Sequence, residues 1–281
     1  MKDVSAHLID FMNEQVEYTG RFFLDAIRPI YGTTSRQEPD HIGSCILLNV
    51  EGGKILLTAA HVIDENKYSS LYVGGSGAKS SDDGELVLIE GDFYATNKIE
   101  ESRDKDHYDF AFWQLDQRTI DKLGAVKFID ENHMMIESSI GVNDFFLALG
   151  YPNTKNKKVN NYTCHVSSLL WHYWGQVKTS EALSKKLSIT GENHLYLHYD
   201  FKKSATSDGK IITATKPTGV SGGVIINIEF PTLDKLQNNR YVKGVVAGLI
   251  IEGHKDHKAM VCTKMSIILK AVYSNIQNPS K

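Results

Sequence analysis

Gly219-Val220-Ser221-Gly222-Gly223-Val224-Ile225-Ile226 sets one serine between glycines, immediately ahead of an apolar, β-branched run. Glycine reaches backbone angles closed to other residues and leaves no side chain in the way of an approaching molecule, so the amides around such a serine can converge on one point. The amides of Gly219 and Ser221 are the pair expected to form an oxyanion hole there. A serine hydroxyl is a weak nucleophile, so the same reading asks for a base within hydrogen-bond reach and a third group that orients the base.

Two segments toward the N-terminus carry those residue types. Leu56-Leu57-Thr58-Ala59-Ala60-His61-Val62 is an apolar strand pattern that ends in two small residues and a histidine. The alanines leave room for a turn that lifts the imidazole to the rim of a sheet. His107-Tyr108-Asp109-Phe110-Ala111-Phe112-Trp113-Gln114-Leu115 opens an apolar strand with a carboxylate. A carboxylate taken out of water must be paired or hydrogen-bonded, because its desolvation is costly. Each piece alone has a plainer reading: a glycine turn, a structural histidine, an aspartate that starts a turn. Together they supply the two roles Ser221 needs, His61 as the base and Asp109 as the group that orients it, the parts of a catalytic triad.

Thr58–His61, Asp109–Ala111 and Gly219–Gly223 in that order resemble the chymotrypsin-like, or trypsin-like, serine peptidase superfamily. Leu149-Gly150-Tyr151-Pro152 is similar to a segment of its bacterial high-temperature-requirement and glutamyl-endopeptidase branches, and the overall flavour is that of bacterial intracellular members. Gly244-Val245-Val246-Ala247-Gly248 resembles the strand that follows the nucleophile and lines the primary specificity pocket. The resemblance covers roughly residues 41–272. It implies an all-β fold of two packed six-stranded antiparallel barrels, with a helix at each end and the active site in the cleft between them. Its domain expectation is residues 1–40 as an N-terminal helix and leader loop, 41–135 as the first barrel with His61 and Asp109, and 136–281 as the second barrel with Ser221.

The rest of the chain fits that frame. Val4, Leu8, Phe11, Met12 and Val16 recur at helical spacing, which predicts a helix from residue 3 to about 17. A turn-rich loop at 32–40 follows. Strands are expected at Ser44–Val50, Lys54–Leu57, Ser70–Val73, Leu86–Ile89, Phe110–Leu115, Asp144–Leu149, Asn161–Val166, His194–Phe201, Val224–Ile228 and Val242–Ile250. Gly74–Gly84 and Lys202–Lys210 read as surface loops, Lys178–Leu187 as a short helix, and Ser266–Ile276 as a closing helix with Ile267, Ile268, Ala271 and Val272 inward.

Composition narrows the class. Over 281 residues, 41% are hydrophobic and 23% charged, with a net charge of −3, so no basic field points to nucleic acid or an anionic membrane. Lys155, Lys157 and Lys158 read as solvated loop charge. Apolar runs fall far short of the about 20 residues a spanning helix needs. Three cysteines, Cys45, Cys164 and Cys262, make a poor disulfide framework, and the N-terminus lacks the pattern of a secretory signal. A cytoplasmic setting is expected.

Neither His194 with His198 nor His254 with His257 has the cysteines or carboxylates to complete a metal site, so no metal or other cofactor is expected. Cys45 and the aromatics Trp171, Tyr173 and Trp174 read as core. In the family, the position six before the nucleophile lies at the base of the specificity pocket; here it is Thr215, followed by Lys216. With no acid there, Thr215, Lys216 and His198 are expected to favour an acidic or polar side chain, and Ala247, Gly248 and Leu249 to pair with an extended substrate. The expected activity is that of a serine endopeptidase with a narrow protein or peptide substrate, as in a defence or quality-control effector, open to control by a partner protein. The alternatives are a silent peptide-binding module on the same fold and an esterase using the same triad.

Overall fold

A computed structural model describes the chain except for residues 1–3, 37, 66–69, 76–83, 99–100, 104–105, 137–139, 141–143, 157–158, 161–164, 167, 178–180, 188, 206–209, 230 and 278–281. Short β-branched and aromatic runs pair into two curled antiparallel sheets, with a helix at each end of the chain. In the first sheet the central pairings join Ile27–Thr33, Pro39–Val50, Gly53–Thr58 and Ala111–Gln114 in that order. In the second, the order is Trp171–Gln176, Phe145–Gly150, Val224–Asn227, Val245–His254, Ala259–Lys264 and His194–His198. One antiparallel bridge, Val177 with Leu197, joins its two edges, so the six strands curl round on themselves.

The two-barrel architecture matches the expectation, but the first sheet differs in strand count. It gathers ten strands among the described residues, including His165–Val166 and Val159–Asn160 from the second half of the chain. Ile27–Thr33, expected to belong to a leader, is one of its inner strands. This segment is buried on nearly every residue, so it lacks the in-out alternation that marks a strand in sequence. Pro39–Val50 likewise begins before the expected boundary at residue 41. Lys203–Ala205, within the loop expected at Lys202–Lys210, pairs antiparallel with Ile211–Thr213 just beyond it, and residues 206–209 lie outside the described residues.

The first helix runs over Val4–Phe23, longer than its apolar periodicity predicts, with Phe11, Met12 and Val16 buried. Gln15 fixes it to the second half of the chain: its amide nitrogen donates to the Val242 carbonyl (2.6 Å) and its oxygen accepts from the Val242 amide (2.9 Å). The closing helix, Met265–Gln277, buries Ile268, Leu269 and Val272, with Leu269 rather than Ile267 facing in. A short helix, Glu181–Leu187, stands within the expected 178–187, of which 178–180 lie outside the described residues. The same holds for residues 161–164 of the expected strand at 161–166, for Cys164, Lys157 and Lys158, and for most of the expected loop at 74–84.

Both sheets contribute to one continuous core. Polar ties cross between them as well: Tyr151 Oη donates to the Ile27 carbonyl (3.2 Å), and the Ser44 amide donates to the Ser221 carbonyl (2.8 Å). Trp171, Tyr173, Tyr199 and Phe201 pack ring against ring inside the second sheet, which is the core role expected for Trp171 and Tyr173. No helix among the described residues is long and apolar enough to cross a membrane.

Candidate active site

Sheet register brings His61 and Asp109 to the same rim. Gly53–Thr58 and Ala111–Gln114 are antiparallel neighbours with Thr58 opposite Ala111, so the segment leaving one strand lies beside the segment entering the other. Ala59 and Ala60, buried and small, let the chain turn at once into the helix Ala60–Asp64, and the Ala60 amide donates to the Asp109 carbonyl (3.1 Å). Asp109 is buried, and its carboxylate accepts two bonds from one residue: the His61 backbone amide at 2.8 Å and His61 Nδ1 at 2.6 Å. This double grip fixes the ring plane and places the proton on Nδ1, which leaves Nε2 as an acceptor. Burial alone would lower the imidazole pKa. The Asp109 bond, with the charges of Asp109, Glu65 and Glu252, outweighs burial and holds it above the ordinary histidine value.

The Ser221 loop is a tight coil secured on both sides. The Val220 amide donates to the Pro217 carbonyl, the Gly223 amide to the Val220 carbonyl and the Gly222 amide to the Ile250 carbonyl, each at 2.8 Å. Gly222 has φ +82°, and a Cβ there would stand 1.9 Å from the Ser44 carbonyl oxygen; Gly219 has φ +88°, and a Cβ there would stand 1.8 Å from Asn153 Oδ1. The glycines of the motif are therefore required by contact as well as by conformation.

Peptide planarity then sets the direction of two amides. The Thr218 carbonyl accepts from the Asn153 amide (2.7 Å), so the Gly219 N–H in the same trans peptide points the opposite way. The Val220 carbonyl is taken by the Gly223 amide, so the Ser221 N–H in the same peptide points away from Gly223 in the same manner. Among the described residues, neither amide donates to a protein acceptor. The half-buried Ser221 hydroxyl donates to the Ile251 carbonyl (3.2 Å), and no hydrogen bond between Ser221 and His61 is formed among the described residues.

Ser221 opens onto a cavity of about 720 Å³. Its walls carry Lys202, Lys216, Lys255 and Lys258 together with Asp200, Glu252 and Asp256, and Ile250 and Met260 supply apolar surface. Lys258 is committed to Asp200 (2.7 Å), and Glu252 to His254 (2.9 Å). Burial would raise the Glu252 carboxyl, but His254 beside it, with His61 and His194, holds it below the usual range.

Of the three residues expected at the specificity pocket, Lys216 is among those lining this cavity, and Thr215 and His198 are not. The Thr215 carbonyl instead accepts from the Tyr199 hydroxyl, and His198 pairs with Ala259 inside the second sheet. Substrate pairing along Ala247, Gly248 and Leu249 is also corrected. Their strand is central, hydrogen-bonded to Val224–Asn227 on one side and Ala259–Lys264 on the other, so no edge is open there. The edge facing Ser221 lies farther along, at Ile251–Gly253, past the end of Val224–Asn227.

Glu252 escaped the sequence reading, although an acid closing the apolar run Val245–Ile251 is the signal that could have found it. Of the other histidines, His194 is engaged with the carbonyls of Thr190 (3.0 Å) and His107, and His254 stacks with His257. Among the described residues, no cluster of three or more His, Cys, Asp or Glu is arranged to hold a metal ion. Cys45 is buried, its thiol pushed up to about 12 by burial.

No protein-family model matches the sequence, and no curated protein matches it. Solved structures do resemble it. The structure of GrC matches with a TM-score of 0.56 at 13% identity, covering 91% of this chain and 95% of that one. The serine endoprotease from Yersinia pestis matches at 0.51 and 15% identity, covering 94% of this chain and 67% of that one. Vibrio cholerae VesB protease matches at 0.52 and 15% identity over 90% of this chain, which spans 64% of that protein. With its two curled sheets and helices at either end, the chain has the two-barrel fold of the chymotrypsin-like serine proteases.

Proposed function

We propose that the chain is a serine endopeptidase in which Ser221 is the nucleophile, His61 the general base and acid, and Asp109 the group that orients His61. The observation that carries this reading is the bidentate hold of Asp109 on His61, supported by a serine loop whose Gly219 and Ser221 amides have no protein acceptor among the described residues and by Glu252, which lines the Ser221 cavity and whose charge acts on the His61 ring. In the first step the Ser221 hydroxyl proton passes to His61 Nε2 as Oγ bonds to the scissile carbonyl carbon. The Gly219 and Ser221 amides receive the oxyanion. The carbon–nitrogen bond then breaks, His61 gives the proton to the leaving amine, and water hydrolyses the acyl ester by the same route in reverse order.

A protein or peptide segment would lie extended along Ile251–Gly253, with its leading side chain in the adjoining cavity. Outside the Lys258–Asp200 pair, Lys202, Lys216 and Lys255 face Glu252 and Asp256 across that cavity, a balance of one positive charge that supports a preference for an acidic over a basic side chain. Cys45 and Cys262 are free thiols, in keeping with a reducing, cytoplasmic setting.

A fluorophosphonate probe tests the chemistry, and a peptide library the preference. Covalent labelling at Ser221 with cleavage after Asp or Glu is the expected result. A folded chain that binds peptides but never labels would replace this reading with that of a binding module, for which the Ser221–Ile251 bond is the supporting observation.

A further inference from the structure

Asp109 sits at φ +44°, a left-handed conformation uncommon for a residue with a side chain. Asp106 holds it there. Its Oδ1 accepts from the amides of Asp109 and Tyr108, both at 3.1 Å, and its carboxylate is buried. The other oxygen accepts from the Thr96 hydroxyl and from Arg103 Nη1, the latter at 2.7 Å.

Arg103 extends the chain of bonds to the other triad element. Its Nε donates to Asp64 Oδ2 at 2.8 Å, and Nη1 also reaches the Thr96 carbonyl at 2.5 Å. Asp64 is the last residue of the helix Ala60–Asp64 that carries His61, and Lys98 pairs with its second oxygen at 3.1 Å. A closed ring results: from the His61 helix through Asp64, Arg103 and Asp106 to the Asp109 amide, and back through the two bonds from His61 to the Asp109 carboxylate. One planar guanidinium spans both loops with donors on separate nitrogens held in a rigid fork, whereas the donors of an ammonium all share one nitrogen on a flexible stem.

We propose that Arg103 and Asp106 are positioning residues that lock the His61 helix and the Asp109 turn at a fixed separation, an inference that rests on the triad reading above. Neither touches substrate; both act through the distance between His61 and Asp109. An acid–base pair loses efficiency steeply when displaced by fractions of an ångström, so bracing from outside the cleft has catalytic value.

The test uses Arg103→Ala and Arg103→Lys in the whole chain, with two readouts: the rate of fluorophosphonate labelling at Ser221, and the titration of His61 followed by NMR of isotope-labelled histidine. The groups whose charge acts on the His61 ring, Asp109, Glu65 and Glu252, are unchanged in both variants. The sign of the shift separates positioning from charge. Removing a cation raises the proton affinity of a nearby imidazole, whereas loosening Asp109 lowers it. The expected result for Arg103→Ala is a His61 midpoint that falls toward the ordinary value of about 6.5, with labelling slowed about tenfold. Arg103→Lys, which keeps the charge and loses the fork, should lie between it and the parent.

A folded Arg103→Ala chain whose midpoint is unchanged or raised, and which labels within twofold of the parent, would overturn the proposal. Should Arg103→Ala not melt cooperatively, the same two readouts on Arg103→Lys decide. The two readings fail separately. A parent chain that never labels, yet whose His61 midpoint drops in the variants, loses the triad chemistry and keeps the brace.

Discussion

The Ser221 hydroxyl donates to the Ile251 carbonyl across 3.2 Å, so its proton points to the strand that borders the substrate cavity instead of to His61. A serine rotor has three staggered wells, and exchanging one neutral acceptor for another costs on the order of 1 kcal/mol. Docking of an extended segment along Ile251–Gly253 would compete for that carbonyl and favour the turn toward His61 Nε2. Ser221→Ala should therefore abolish fluorophosphonate labelling and peptide cleavage. It should change stability by no more than about 1 kcal/mol, since a single hydrogen bond is lost. Thermal melting and intact-mass analysis check both halves, and labelling that persists in the variant would assign the nucleophile elsewhere.

Labelling should rise with pH as His61 loses its proton, because only the neutral ring accepts from Ser221. The midpoint should lie above about 6.5, as Asp109, Glu65 and Glu252 together outweigh the opposing effect of burial. The same raised affinity is a stability statement: the native state binds this proton more tightly than the unfolded chain. The stabilisation is complete below pH about 6.5 and is lost as pH rises through the native midpoint. Asp109→Asn removes both the charge and the bidentate acceptor. Turnover should fall on the order of 10³-fold or more, and the midpoint should drop. A pH profile that is flat in the parent would point to another base.

Gly222→Ala should be more damaging to the fold than any triad substitution. The new Cβ would meet the Ser44 carbonyl oxygen at 1.9 Å and Thr58 Oγ1 at 2.3 Å, at a φ of +82°. Both contacts belong to buried groups of the first sheet that are already bonded to each other, Thr58 Oγ1 donating to the Ser44 carbonyl at 2.7 Å. Overpacking and backbone strain together should cost about 3 kcal/mol or more. A melting temperature close to the parent's would show that the loop has slack the contacts do not suggest.

How much could be read from residues alone depended on the range of the interaction. The three motifs and most strands carry local signals, a glycine run or a β-branched alternation, and they appear where those signals fall. Ile27–Thr33 was missed because burial on nearly every residue erases alternation, and Ala259–Lys264 because Ala-Met-Val-Cys-Thr-Lys is short and carries no clear period. The pairing of Lys203–Ala205 with Ile211–Thr213 was masked by its lysines. Site residues defined by distant partners left no trace at all: Arg103 meets Asp64 across 39 positions, and Ser44 Oγ meets the Gly219 carbonyl across 175. Ala247–Leu249 misled for a related reason, since an apolar strand reads the same whether its edges are open or taken.

The last prediction concerns Val220, immediately before Ser221; in the superfamily that the Gly219–Gly223 motif resembles, members activated by chain cleavage usually carry an aspartate at that position, which pairs with a new N-terminal ammonium. Val220 is fully buried in the apolar cluster of the second sheet, in the company of Ala148, Ile225 and Ile250. Its backbone is already satisfied, the amide by the Pro217 carbonyl and the carbonyl by the Gly223 amide. An ammonium brought to this point would find neither a carboxylate nor a free acceptor. The loop that orients the Gly219 and Ser221 amides is instead held by neutral bonds to Asn153, Ser44 and Ile250. The uncut chain, verified by mass spectrometry, should therefore label at Ser221 without proteolytic nicking. Val220→Asp supplies the complementary experiment. With no cation to pair, the buried carboxylate should destabilise the fold by about 3–5 kcal/mol, as expected for an unpaired buried charge. A Val220→Asp chain of normal stability, or a parent that labels only after cleavage, would show that an ammonium does reach this pocket.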